Sequence, residues 1–268
     1  MRTHISYIAF LSDQPDRLAE HYSTYFGLKE LGRSADGDVS MTDGFYNLSF
    51  LKRRKELGEA NDEVGLHHFG LAIDDIHDFE GGLEEFAPQA DVRAESGDVH
   101  HGEYRFTDPN GLTVSLSTKH FNTLGQSQTH PSIHHLAVKV PDNDALLDFY
   151  GNLIGLNESE VSKRVRQRGG MARFAGDGST AWAIFRNGSS EDNEGAINKE
   201  GVNHFGFVVP SLEEMLAKLP PYGKTSKRPA DRPFAEWRTF DPDGNGMDIS
   251  QQLGYEVDPD VWVRAGSA

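Results

Sequence analysis

Ser6-Tyr-Ile-Ala-Phe-Leu-Ser-Asp13 and His135-Leu-Ala-Val-Lys-Val-Pro-Asp142 are two versions of one phrase, and the pair decides the fold. Two more phrases repeat in the same order. His68-Phe-Gly-Leu-Ala-Ile-Asp-Asp75 answers to His204-Phe-Gly-Phe-Val-Val-Pro-Ser211, and Asp108-Pro-Asn-Gly-Leu-Thr-Val-Ser115 to Asp241-Pro-Asp-Gly-Asn-Gly-Met-Asp248. Internal repetition of this kind marks a duplicated supersecondary unit. Read as columns, the first copy offers Ser6, His68 and Ser115, and the second His135, His204 and Asp248. Two histidines and one carboxylate can hold a metal and leave coordination positions open.

Outward from these phrases, each half begins with an apolar strand and a helix, Asp16–Phe26 in one and Asp144–Ile154 in the other. Leu146, Leu147, Tyr150 and Ile154 recur at helical spacing and make one apolar face. Gly27 and Gly155 follow the two helices as left-handed C-caps, and Leu28 and Leu156 start the return to the sheet. Strand-like stretches follow at Phe45–Leu51 and Thr180–Phe185. A second unit in each half opens on the His-Phe-Gly strand, continues through a helix (Leu83–Phe86 or Leu212–Leu219) and closes around an Asp-Pro-x-Gly turn. The expected class is α+β: four βαβββ units paired into two cupped-sheet domains. The first spans residues 1–118 and the second 132–252. Residues 119–131, rich in Gln, Ser, Thr, Gly and Asn, read as a linker, and residues 253–268 as a tail that packs Trp262 across a surface.

At 268 residues the chain accommodates two domains of about 130 residues each. The formal net charge of −16 argues against nucleic acid or an anionic membrane surface as partner. The absence of cysteine removes disulfides, thiolate metal sites and cysteine nucleophiles. Neither a signal-peptide pattern nor an apolar run of membrane-spanning length occurs, so a cytoplasmic location is expected.

Strand alternation tests the columns. His135, Ala137 and Lys139 share one face while Leu136, Val138 and Val140 share the other. His204 and Gly206 oppose Phe205 and Phe207, and Asp248 opposes Met247 and Ile249. Each candidate metal ligand thus lies away from the bulkiest apolar residues, and Gly206 keeps space beside His204. After His135 the chain holds one further histidine, and it is His204. In the first half Ser6 and Ser115 replace two of the ligands, so His68 stands without them; His4, His67, His100 and His101 lie nearby. That half is expected to be scaffold, lid or oligomer surface, which leaves a homo-oligomer open.

Paired βαβββ units with a strand His, a His-Phe-Gly strand and a closing Asp-Pro-Asp-Gly-Asn turn resemble the vicinal oxygen chelate superfamily of glyoxalase I, bleomycin and fosfomycin resistance proteins, and extradiol dioxygenases. The resemblance covers residues 4–252. It implies a metal inside the C-terminal cup on His135, His204 and Asp248, and a small oxygen-rich, catechol- or hydroquinone-like substrate with O2 as co-substrate. Fe(II) suits this donor set best, then Mn(II), with Zn(II) a third choice. A two-domain chain with a metal set only in its C-terminal cup resembles the two-domain extradiol dioxygenases. They carry a Glu ligand, and a His and a Tyr upstream of the turn, whereas this chain has Asp248, and neither residue occurs in Asp231–Phe240. As substitutes, Glu236 is the candidate base, and Arg238 and Lys139 the candidate anchors for an anionic oxygen. Glu236, Arg238 and Asp248 fit a surface charge cluster equally well. Trp182 and Trp237 are candidates for the pocket wall, although strand aromatics are more often core. The alternatives are a glyoxalase-like isomerase, lyase or thiol transferase, and a non-catalytic protein that sequesters its ligand. Ala181-Trp-Ala-Ile-Phe185 lacks the second carboxylate an isomerase needs.

Overall fold

The computed structural model describes residues 3–54, 63–95, 102–119, 131–188, 200–228 and 235–252. The body of the linker, the C-terminal tail with Trp262, and His100 and His101 lie outside the described residues.

The first unit runs β1 (His4–Ser12), α1 (Pro15–Phe26), β2 (Lys29–Arg33), β3 (Val39–Thr42) and β4 (Asn47–Lys52). The second runs β5 (Gly65–Ala72), α2 (Ile76–Phe86), β6 (Arg93–Ala94), β7 (Tyr104–Thr107) and β8 (Thr113–Ser117). The third is β9 (Ser132–Val140), α3 (Asn143–Ile154), β10 (Asn157–Glu158), α4 (Glu160–Gln167), β11 (Arg173–Gly176) and β12 (Ala181–Arg186). The fourth is β13 (Gly201–Val208), α5 (Leu212–Lys218), β14 (Ser226–Lys227), β15 (Trp237–Phe240) and β16 (Gly246–Ser250). Two eight-stranded sheets result, ordered β2-β3-β4-β1-β5-β8-β7-β6 and β10-β11-β12-β9-β13-β16-β15-β14. The orders are identical, as the repeat requires. The third unit carries one helix more than expected, α4, started by Ser159 Oγ accepting from Ser162 N at 3.1 Å. No helix among the described residues is long and apolar enough to cross a membrane.

Both helix stops are as the glycines foretell. Gly27 and Gly155 sit at φ 71° and 72°, where a side chain would be strained. Leu28 N and Leu156 N then reach back to the carbonyls of Tyr22 and Tyr150. Two strands start later than expected, because an aspartate before each one folds the chain into a turn. Asp43 Oδ1 accepts from Phe45 N and Tyr46 N, so β4 opens at Asn47; Asp177 Oδ1 accepts from Ser179 N and Thr180 N, so β12 opens at Ala181.

The two domains share one core. Phe26 stacks on Phe207 with ring centroids 4.2 Å apart, Phe10 meets Phe205 at 5.6 Å, and Phe69 meets Trp182 at 5.3 Å. The polar contacts across this core are reciprocal. Tyr22 Oη donates to Asp241 Oδ2 at 3.0 Å, and Tyr150 Oη donates to Asp108 Oδ2 at 3.0 Å. Each closing-turn aspartate is therefore claimed by a helix of the other domain. Asp43 and Asp177 do likewise, accepting from Ile133 N and Ile5 N. Burial pushes the Asp108 and Asp241 carboxyls up to about 6 despite these donors.

His21 on α1 is buried among Tyr22, Tyr25, Phe26 and Tyr222, and neither ring nitrogen has a hydrogen-bonding partner among the described residues. Burial, with Arg17 assisting, lowers its pKa to about 4. Between the unfolded value near 6.5 and about 4, the unfolded chain takes a proton that the folded chain refuses. His21 therefore costs stability as pH falls through that window. His21→Phe should be more stable than the parent, by a margin that grows to roughly 3 kcal/mol toward pH 4. Urea midpoints from pH 7 to pH 4 check this; a margin independent of pH would contradict it.

Candidate metal centre

Strand alternation works as expected on the three strands that matter. Leu136, Val138, Phe205, Phe207, Met247 and Ile249 point into the core against the helices. His135, His204 and Asp248 point the other way, into the concave side of the second sheet, and all three are buried. The register places them together: Gly206 pairs with His135 on one side and with Asp248 on the other, and His204 pairs with Ala137. Their ligand atoms lie within 4.8 Å of one another, and among the described residues no other such cluster occurs. His204 Nε2 is 3.2 Å from Asp248 Oδ2, and His135 Nε2 is 3.8 Å from the same oxygen.

Gly206 makes this convergence possible. A Cβ there would stand 1.9 Å from His135 Cε1, so the imidazole occupies the space a side chain would take. The apolar wall beside the histidines is Ala137, Ala183 and Phe185, with the Phe185 ring stacked on His204 at 5.9 Å.

Two register shifts refine the site. β13 carries Asn203 as an extra residue between Val202 and His204, and β9 carries His134 between Ile133 and His135. A β-bulge lets consecutive side chains approach the same side of a strand. Accordingly Asn203 Oδ1 lies 2.8 Å from His204 Nδ1, and His134 Nε2 lies 3.3 Å from His135 Nδ1. His204 is thus bracketed by the Asn203 amide oxygen at Nδ1 and the Asp248 carboxylate at Nε2; a metal on Nε2 would leave the proton on Nδ1, where the amide oxygen accepts it. Sequence reasoning missed Asn203 and His134; their adjacency to the ligands was the available signal.

The protonation states suit a cation. Burial lowers His204 to about 4, assisted by Arg238, and burial together with His134 lowers His135 well below its ordinary value. Burial pushes the Asp248 carboxyl up, but Arg238 and His204 outweigh it and hold it well below the usual range. At neutral pH the site is two neutral imidazoles and one carboxylate, the forms that ligate metals.

Other candidates fall elsewhere. Arg238 faces the cup, but both its bonds go to Asp248: Nε to Oδ1, and Nη2 to Oδ2 at 3.2 Å. Glu236 is two residues outward, where its Oε2 accepts from Ser250 Oγ and Gln251 N, each at 2.8 Å. Glu103 makes the matching clasp in the first domain, onto Thr118 N at 2.8 Å. A base role for Glu236 does not fit a carboxylate already committed to closing a strand end. Trp182 is a correction. It pairs with Leu136 on the core face, fully buried against Phe69 and Tyr150, while Ala181 and Ala183 take the cup side. Trp237 pairs with Ile249 and so lies on the face opposite Arg238, outside the cup. Lys139 is buried on the His135 face but four residues along, about 13 Å at strand rise.

The first cup fills the equivalent positions differently. By register Tyr7, paired with Gly70, occupies the place of His135, and Ser6 is the bulged residue that matches His134. The columns of the first copy are therefore Tyr7, His68 and Ser115, not Ser6, His68 and Ser115. Tyr7 Oη lies 3.4 Å from His68 Nε2, and Ser115 Oγ 3.4 Å from Glu95 Oε2, itself paired with Arg105 at 2.6 Å.

The molecule is thus a tandem pair of cupped sheets with a buried two-histidine, one-carboxylate cluster in the second cup. Residues 132–249 match the family model of the Glyoxalase/Bleomycin resistance protein/Dioxygenase superfamily. Solved structures share the fold across both domains. The 2,3-dioxygenase LapB from Pseudomonas sp. KL28 aligns with TM-score 0.66 at 14% identity, over 96% of this chain and 94% of that one. An extradiol ring-cleaving dioxygenase from B. fuscum gives TM-score 0.65 at 14% identity, over 97% and 74%. The Mn(II)-bound glyoxalase from Novosphingobium aromaticivorans gives 0.66 at 16%, over 97% and 85%. No curated protein matches the chain in sequence.

Proposed function

We propose that the C-terminal cup holds one divalent metal ion on His135, His204 and Asp248, and that the protein is a metal-dependent oxygenase of a small substrate with adjacent oxygen atoms. The single observation that carries this reading is the convergence of those three ligand atoms within 4.8 Å on the concave face. Iron suits the donor set best and manganese next, with zinc third. When bound, such an ion supplies Lewis acidity, open positions for the substrate's oxygens and, for iron or manganese, access to O2 chemistry.

The chain's own residues do the rest. Asn203 keeps the His204 proton away from the ligand atom, and Arg238 holds the carboxylate still. Ala137, Ala183 and Phe185 line the wall with apolar surface that keeps competing water away. Lys139, buried farther along β9 on the His135 face, adds a positive charge toward an anionic substrate group. Small apolar residues, Ala181 and Ala183, face the cup from β12 where a proton-shuttling isomerase would need an acid, and this favours oxygenase over isomerase chemistry.

Oxygen uptake by Fe(II)-loaded protein across a catechol and hydroquinone panel tests the proposal. The expected result is substrate-dependent O2 consumption that disappears in His204→Ala. Metal-dependent turnover without O2 would establish isomerase or lyase chemistry instead, and ligand binding without turnover would indicate sequestration.

A further inference from the structure

Asp248 and Arg238 are both almost wholly buried, at 1% and 2% exposure. Their strands are antiparallel neighbours with the two residues directly opposed. Arg238 Nη2 is 3.2 Å from Asp248 Oδ2, the same oxygen that stands 3.2 Å from His204 Nε2 and 3.8 Å from His135 Nε2. An ion bound between the histidines and Asp248 would thus share its carboxylate oxygen with a guanidinium.

The first cup has the same arginine in the same register, Arg105 opposite Ser115, and there too an acid meets it, Glu95 at 2.6 Å. An arginine matched by one acid is therefore common to both cups, including the one without a metal-ligand set. In the second cup alone, the acid that matches the arginine is also a metal ligand.

We propose that Arg238 is a resident counter-ion that competes with the metal for Asp248, so that the second cup is charge-balanced when empty and holds its ion in exchangeable form. This rests on the metal centre proposed above. Two effects of Arg238 oppose each other. Fixing the carboxylate favours binding, and an outer-shell partner of this kind contributes about 10–100-fold to affinity. A fixed positive charge a few ångströms from a divalent cation, in a buried site with little screening, acts more strongly in the other direction. Losing Arg238 also leaves Asp248 buried without a cation, a state the metal then relieves. The net effect of the arginine is a looser metal.

The test is titration of the metal-stripped full chain with Mn(II), followed by electron paramagnetic resonance, with thermal unfolding of the same samples. Arg238→Gln should bind Mn(II) at least about tenfold more tightly than the parent, and should melt lower than the parent without Mn(II) but not with it. Arg238→Lys keeps the charge and should stay within about threefold of the parent. A glutamine variant that folds only when Mn(II) is present is the extreme of the expected result. Equal or weaker Mn(II) binding by Arg238→Gln, a lysine variant that tightens as much as the glutamine one, or a glutamine variant that fails to fold even with Mn(II) overturns the competition. A parent protein that binds no Mn(II) refutes the centre itself, which separates the two failures.

Discussion

Gly206→Ala should abolish metal binding while leaving the rest of the fold in place. The methyl group would stand 1.9 Å from His135 Cε1, so the imidazole must leave its position. Overpacking of a well-filled site costs about 1–3 kcal/mol, and the upper end applies here because the clash is with a ring held between two strands. Metal affinity should fall by more than about 100-fold, since displacing a ligand exceeds the loss of an outer-shell partner. The duplicated chain supplies its own control. Gly70 has the same relation to Tyr7, with a Cβ that would fall 1.9 Å from Tyr7 Cε1. Gly70→Ala should lower the melting temperature comparably and leave metal stoichiometry unchanged. Mn(II) titration and thermal unfolding of both variants check this; equal metal loss in the two would mean that the effect is global.

Asp248→Asn should be the most destabilising conservative change in the second cup. It removes the carboxylate from a fully buried arginine, and breaking a buried pair from one side costs about 3–5 kcal/mol. It also takes away the only anionic ligand of the cluster, so metal binding should be lost together with stability. The double variant Asp248→Asn/Arg238→Met separates the two consequences. Replacing both partners removes the stranded charge, so most of the stability should return and the metal should not. Urea denaturation with parallel Mn(II) titration reads both; a double variant as unstable as Asp248→Asn would contradict the pairing.

Much of this was legible in the sequence, for identifiable reasons. Gly27 and Gly155 have no alternative role in their positions, because each follows a helix and must turn the chain left-handed. Alternation along His135–Val140 and Ala181–Phe185 separates core from cup with a period of two, and it puts His135, His204 and Asp248 together on the cup face. The same alternation, applied to Trp182 between Ala181 and Ala183, would have assigned that ring to the core.

What the sequence concealed was mostly caused by bulges. Ser6 and His134 are extra residues in their strands, and neither residue type advertises a bulge. Aligning the phrases by their serine and histidine therefore slid the first column by one residue, from Tyr7 to Ser6. The capping glycines carry the correction, because Gly27 and Gly155 are the same distance apart in sequence as Tyr7 and His135. The Arg238–Asp248 pair depends on the register between β15 and β16, which the closing turn fixes and composition does not. Glu236 was misread for a related reason: its clasp on Gln251 N forms only once that register exists.

The central claim is that one metal ion sits in the second cup on His135, His204 and Asp248. Its most direct test is Mn(II) stoichiometry of the full chain, parent against His204→Ala, measured after chelator stripping. One ion per chain in the parent and none in the variant is the expected result. Two ions per chain, none in the parent, or one in both would contradict it.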